Sequence, residues 1–172
     1  MNNFIIKHII RFIVLITIQI LVLNNVLFMG YINPYIYILF LLLLPFDTSR
    51  WLILILAFCL GISIDAFQNS MGIHAFSCVL IAYCRRPILH FLLPQLKNKK
   101  QNYLEFSLQE FGLQRALIYT GTLVFIHHFS LFILEAFQLD LFRIFLRTLG
   151  STLVSIILLI IIQYLLFKDG KR

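Results

Sequence analysis

Apolar residues in this chain come in blocks of about 15–22, and a helix needs roughly 20 of them to cross about 30 Å of hydrocarbon. Spanning β-strands alternate apolar and polar residues over about ten positions, whereas 36–44 and 156–162 are continuously apolar. The predicted spanning element is therefore the helix. With 61% hydrophobic and 12% charged residues, against about a quarter charged in soluble domains, the chain could not cover a water-facing globule. A net charge of +7 would suggest nucleic acid for a soluble protein. Here it fits the gathering of Lys and Arg in cytoplasmic loops, and no nucleic-acid partner is expected.

Residues 1–172 read as a single transmembrane domain, an all-α bundle of six transmembrane helices at about 9–29, 35–46, 51–66, 72–86, 116–137 and 148–167. The first block is too long for a removable signal peptide and lacks a small-residue cleavage site, so it is expected to stay as a helix. Tyr31, Tyr35 and Tyr37 are expected to form an aromatic belt at one interface. Ser107 and Glu110 have capping-box spacing and predict a short interfacial helix. The stretch 138–147 alternates charge with bulky apolar residues and is expected to lie in the membrane surface. Six spans with the N-terminus inside put twelve of the fourteen basic residues on the cytoplasmic side, leaving Arg143 and Arg147 outside. Both termini are thus predicted to be cytoplasmic.

Asp65 is the most informative polar residue. It lies near the outer end of the third helix, followed by Gln68, Asn69, Ser70, Gly72 and His74. A carboxylate in hydrocarbon needs a partner or a water-filled cavity. One reading is a polar knot of Asp65 and His74 fixing the outer turn, with Gly61 and Gly72 allowing close backbone approach. The other is a solvated residue at headgroup level. His127 and His128 lie about 18–20 Å above the inner surface by helical rise. Successive residues point about 100° apart, so at most one is expected to face any single site. An interhelical hydrogen bond and contact with water in an outward cavity both remain open for them.

Arg85 and Arg86 close the fourth helix as topology anchors or as contacts for lipid phosphate. Arg143 and Arg147, with Asp140 one turn earlier, suit a surface-lying helix or a partner contact. Gly150, Ser151 and Ser155 give the last helix a small-residue packing face. Cys59, Cys78 and Cys84 sit in apolar segments without metal-ligand spacing and read as small core residues. The sequence contains no HExxH, no GxSxG-type nucleophile turn and no Walker-type phosphate loop. Paired aspartyl chemistry would have only Asp65 and a distant Glu135. No enzymatic activity, metal or cofactor is expected.

Gly61-Ile-Ser-Ile-Asp65, then Met71-Gly72-Ile73-His74-Ala75, then Ile81-Ala82-Tyr83 with Arg85 and Arg86, resembles the rod shape-determining MreD family. The length, six apolar segments and basic ends agree with that resemblance. It implies a bacterial inner-membrane scaffold subunit that binds MreC. Through MreC it would reach the actin-like MreB, the glycosyltransferase RodA and its transpeptidase, supporting peptidoglycan synthesis and cell shape. MreD is also similar in architecture to the substrate-binding subunits of energy-coupling-factor vitamin transporters, which supplies the alternative function.

Overall fold

The computed structural model describes residues 2–26, 30–92, 112–136, 138 and 140–168. The described residues form helices α1 (Asn2–Leu21), α2 (Leu39–Leu43), α3 (Arg50–Gln68), α4 (Ile73–Leu92), α5 (Leu113–Glu135) and α6 (Leu141–Lys168), with one 3-10 turn at Leu23–Asn25. Among the described residues, five segments are long and apolar enough to cross a membrane: Ile5–Asn25, Arg50–Gln68, Ile73–Leu92, Leu113–Glu135 and Leu141–Leu165. The chain is thus a multi-pass membrane protein. The predicted interfacial helix at Ser107 and Glu110 lies outside the described residues.

Local chemistry sets the helix ends. Ser49 opens α3 by accepting a hydrogen bond from the Leu52 amide at 3.3 Å. Asn69 closes it in the left-handed conformation, φ 55°, and returns its amide to the Asp65 carbonyl. Asp140 begins α6, with its carboxylate accepting from the Arg143 amide at 3.2 Å. This cap corrects the surface-helix expectation: the stretch before residue 148 is the first part of a continuous 28-residue helix. Helix α4 also runs beyond the predicted stop, carrying Pro87 inside it.

The larger correction concerns the second predicted helix, 35–46. Only Leu39–Leu43 is α-helical there, yet every residue from Pro34 to Pro45 is buried. This central segment threads the interior of the bundle. Its start lies beside late α1 and mid α6, where Gln19 and Ser155 bond its backbone. Tyr37 reaches His74 at the start of α4, and the Leu44 carbonyl reaches Arg85 near its other end. The expected tyrosine belt dissolves accordingly: Tyr31 is exposed, but Tyr35 and Tyr37 are core residues.

Around this segment α3 packs on α4, α4 on α5, and α5 on α6. The tightest approach is at Gly61, where any Cβ would collide with the backbone of His74 and Ala75. A glycine is required there because neither colliding group is a movable side-chain end. Helix α1 is more loosely held and keeps Ile5, Ile6, Ile9, Ile10 and Ile13 about half exposed.

Candidate functional site

The corner between α3 and α4 is built on one carboxylate. Asp65 Oδ1 accepts from the Ser70 hydroxyl at 2.6 Å and the His74 amide at 3.0 Å, and Oδ2 accepts from the Ala75 amide at 2.8 Å. The first turn of a helix leaves its amides without intrahelical partners, and a negative group there also meets the favourable end of the helix dipole. Asp65, though carried on α3, thus caps α4 from across the turn. The turn is tight enough to need positive φ at Asn69 (55°), Met71 (51°) and Gly72 (92°). The structure therefore brings together Asp65, Ser70, His74 and Gly61, but Gly72 needs correction: a Cβ there would meet nothing within 4 Å, so this glycine serves the positive φ of the turn and not a close approach. Asp65 is only 4% exposed, so it is not a solvated headgroup-level residue.

From this corner a string of polar side chains runs into the bundle. His74 Nε2 lies 2.8 Å from the Gln68 amide oxygen, an acceptor, so Nε2 carries the proton and Nδ1 accepts from the Tyr37 hydroxyl at 2.7 Å. That hydroxyl in turn accepts from His127 Nε2 at 2.9 Å. His128 donates from Nδ1 to the Val124 carbonyl at 2.8 Å and accepts from Ser155 at 3.2 Å. Ser155 itself accepts from the Tyr35 amide at 3.0 Å. These assignments follow from the partners, since ring protons are inferred from the network. Both histidines are fully buried. The expectation that only one faces any site needs correction. The Tyr35 ring contacts His127 and His128 at centroid distances of 5.9 and 5.1 Å, because an aromatic ring is wide enough to meet both diverging side chains.

A second buried cluster lies toward the other end. Arg85 donates from Nε to the Tyr119 hydroxyl at 3.0 Å and from its terminal nitrogens to the Leu44 and Pro45 carbonyls. It is 2% exposed. This removes Arg85 from the lipid and partner contacts, because its donors are taken by the central segment. Arg86 remains exposed. Among the outer basic residues, Arg143 pairs with Asp140 at 3.0 Å. Arg147 pairs with Glu135 at 2.8 Å, bonds the Tyr31 carbonyl at 3.2 Å and lies 4.0 Å from the Phe132 ring centroid. Ser151 turns to the backbone of Asn33, while Ser155 serves both the backbone of Tyr35 and His128 on α5.

Sequence reasoning missed Gln19, Tyr35, Tyr37 and Tyr119. The available signal was the length of the apolar stretch before Pro45. Twelve residues rise only about 18 Å as a helix, too little for a spanning helix, so a buried stretch of that length that is partly extended needs outside partners for its backbone. Polar residues within apolar runs were those partners.

Chemically, the arrangement binds the chain to itself. Both oxygens of Asp65 are occupied by donors. Among the described residues, no three His, Cys, Asp or Glu side chains gather with metal-ligand geometry. Cys78 contacts His127 at 4.0 Å, while Cys59 is exposed. A cleft of about 670 Å³ opens among α1, the central segment and α3, with Phe12, Phe40 and Leu56 in its walls.

Asp65→Leu should cost about 3–5 kcal/mol of stability, since it strands two amides and a hydroxyl, and Asp65→Asn about 1–2 kcal/mol. Gly61→Ala should cost about 1–3 kcal/mol through overpacking. Gly121→Ala, whose Cβ would meet only an Ile156 methyl at 3.5 Å, should lie within about 1 kcal/mol of wild type or above it. Thermal melts of the four purified variants in one detergent check this order. A Gly61→Ala melt matching that of Gly121→Ala would contradict the close approach of α3 and α4.

Compared with protein-family models, with curated proteins and with solved structures, the chain gives no match.

Proposed function

We propose that this chain is a non-enzymatic scaffold subunit of a bacterial inner membrane, similar to MreD, that holds a membrane-anchored MreC-like partner for the cell-elongation machinery. In this reading it crosses the membrane six times with both termini cytoplasmic, and the segment from Pro34 to Pro45 is the second crossing. Support for the crossing comes from the contacts of that segment with both ends of α4. Support for the orientation comes from the bias of Lys and Arg.

The observation that carries the proposal is the use made of the Gly61–Arg86 stretch. Its distinctive residues are engaged within the chain: Gly61 by the α4 backbone, Asp65 by the first turn of α4, His74 by Tyr37, and Arg85 by the central segment. A rigid bundle with apolar outer faces is what a helix-clasping scaffold needs. Helices in lipid associate through close packing and interhelical hydrogen bonds rather than a hydrophobic drive. Helix α1 offers such a face.

Three experiments test the proposal. Single cysteines at Asn69 and Gln138, in a background lacking the native cysteines, should react with an impermeant thiol reagent in intact cells, whereas cysteines at Asp47 and Asn98 should react only after lysis. Labelling of Asp47 from outside would overturn the topology. A tagged copy purified in mild detergent should retain an MreC-like protein, and depletion should make rod-shaped cells widen and round. Recovery of coupling ATPases instead, with a melting temperature that rises with an added vitamin, would replace this proposal by the vitamin-transporter alternative.

A further inference from the structure

Helices α3 and α4 are pressed together at Gly61 and Ala75. Arg50 lies eleven residues before that contact on α3, and Arg86 lies eleven residues after it on α4. The two arginines therefore stand at equal distances along the two helices, about 16 Å from that contact. Between them opens a cleft of about 480 Å³ that the buried side chains of Ile53 and Ala82 help to line. Trp51 and Tyr83, 78% and 73% exposed, flank its mouth.

Neither Arg50 nor Arg86 has a carboxylate or a hydrogen-bond partner among the described residues, unlike Arg85, Arg143 and Arg147, which are all engaged. Two guanidinium groups without a partner among the described residues, at the rim of an apolar cleft, call for a ligand with an anionic head and an apolar tail. Guanidinium groups match phosphate with paired N–H donors. Exposed Trp and Tyr mark the headgroup level of a bilayer, and basic pockets between membrane helices suit anionic lipid headgroups. A zwitterionic lipid would bring its own cation against the two arginines and forfeit most of the attraction.

We propose that the cleft between the Arg50 and Arg86 ends of α3 and α4 is a binding site for an anionic diacyl phospholipid. Its phosphate is held between the two guanidinium groups, and an acyl chain lies along Ile53 and Ala82. The site is independent of the scaffold proposal, because it concerns lipid and not a protein partner.

Native mass spectrometry of the full-length protein, released from detergent with increasing phosphatidylglycerol or phosphatidylcholine of the same acyl chains, tests this. Phosphatidylglycerol should be retained in preference. The double variant Arg50→Gln with Arg86→Gln should bind it about thirtyfold more weakly. Arg50→Lys with Arg86→Lys should bind between the wild type and the glutamine variant, because an ammonium keeps the charge without the paired donors, and Arg143→Gln should keep all of the binding. Both positions are exposed, so the variants should melt with the wild type. Equal retention of the two lipids, or undiminished binding by the glutamine variant, would overturn the site. Competition by glycerol phosphate as strong as that by the diacyl lipid would show an anion site without a lipid, and would overturn it too.

Discussion

A hydrocarbon interior supplies no hydrogen-bond partners, so a backbone that leaves helical geometry inside a membrane must find them on neighbouring side chains. The segment from Pro34 to Pro45, buried throughout, meets the same constraint toward its two ends, outside the bonds that residues 36–42 make among themselves. Gln19 bonds both the Pro34 carbonyl and the Ile36 amide, at 3.2 and 2.9 Å. Ser151 and Ser155 take the amides of Asn33 and Tyr35, while Tyr119 and Arg85 reach the carbonyls of Leu42, Leu44 and Pro45. Four helices, α1, α4, α5 and α6, thus converge on one buried stretch of chain.

The same rule organises the α3–α4 corner. There the unsatisfied groups are the first amides of α4, and the satisfying group is the Asp65 carboxylate. The collision-free approach at Gly61 brings the two helices close enough for that bond. The histidines then link the corner to the centre, since His74 and His127 share the Tyr37 hydroxyl and His128 shares Ser155 with the backbone of Tyr35. Polar residues that elsewhere would suggest chemistry are here occupied in joining helices, which is the physical basis for proposing a scaffold.

Much of the fold was legible because long apolar blocks admit few alternatives: α3, α5 and most of α4 lie close to their expected places. The Asp65 corner was legible for a related reason, since an acidic residue in an apolar run demands a partner and Ser70 and His74 stood nearby in sequence. Contacts distant in sequence were not legible. Arg85 next to Arg86 resembles a pair of topology anchors, and only the fold shows that one turns inward to Leu44 and the other outward. The central segment was misread because its composition suits a helix, while its flanking prolines and short length keep it from being a spanning helix. Likewise, the charges before residue 148 suggested a surface helix, although the Asp140 cap and the Arg147–Glu135 pair let α6 run through them.

The claim at the centre of this account is that side chains satisfy the buried irregular backbone. Hydrogen–deuterium exchange in lipid nanodiscs, resolved to the amides of Tyr35, Ile36, His74 and Ala75, tests it most directly. These four amides should exchange as slowly as those in the middle of α5, and Gln19→Leu should release Ile36 while leaving His74 and Ala75 protected. Exchange of all four at the rate of an exposed loop in the wild-type protein would contradict the account.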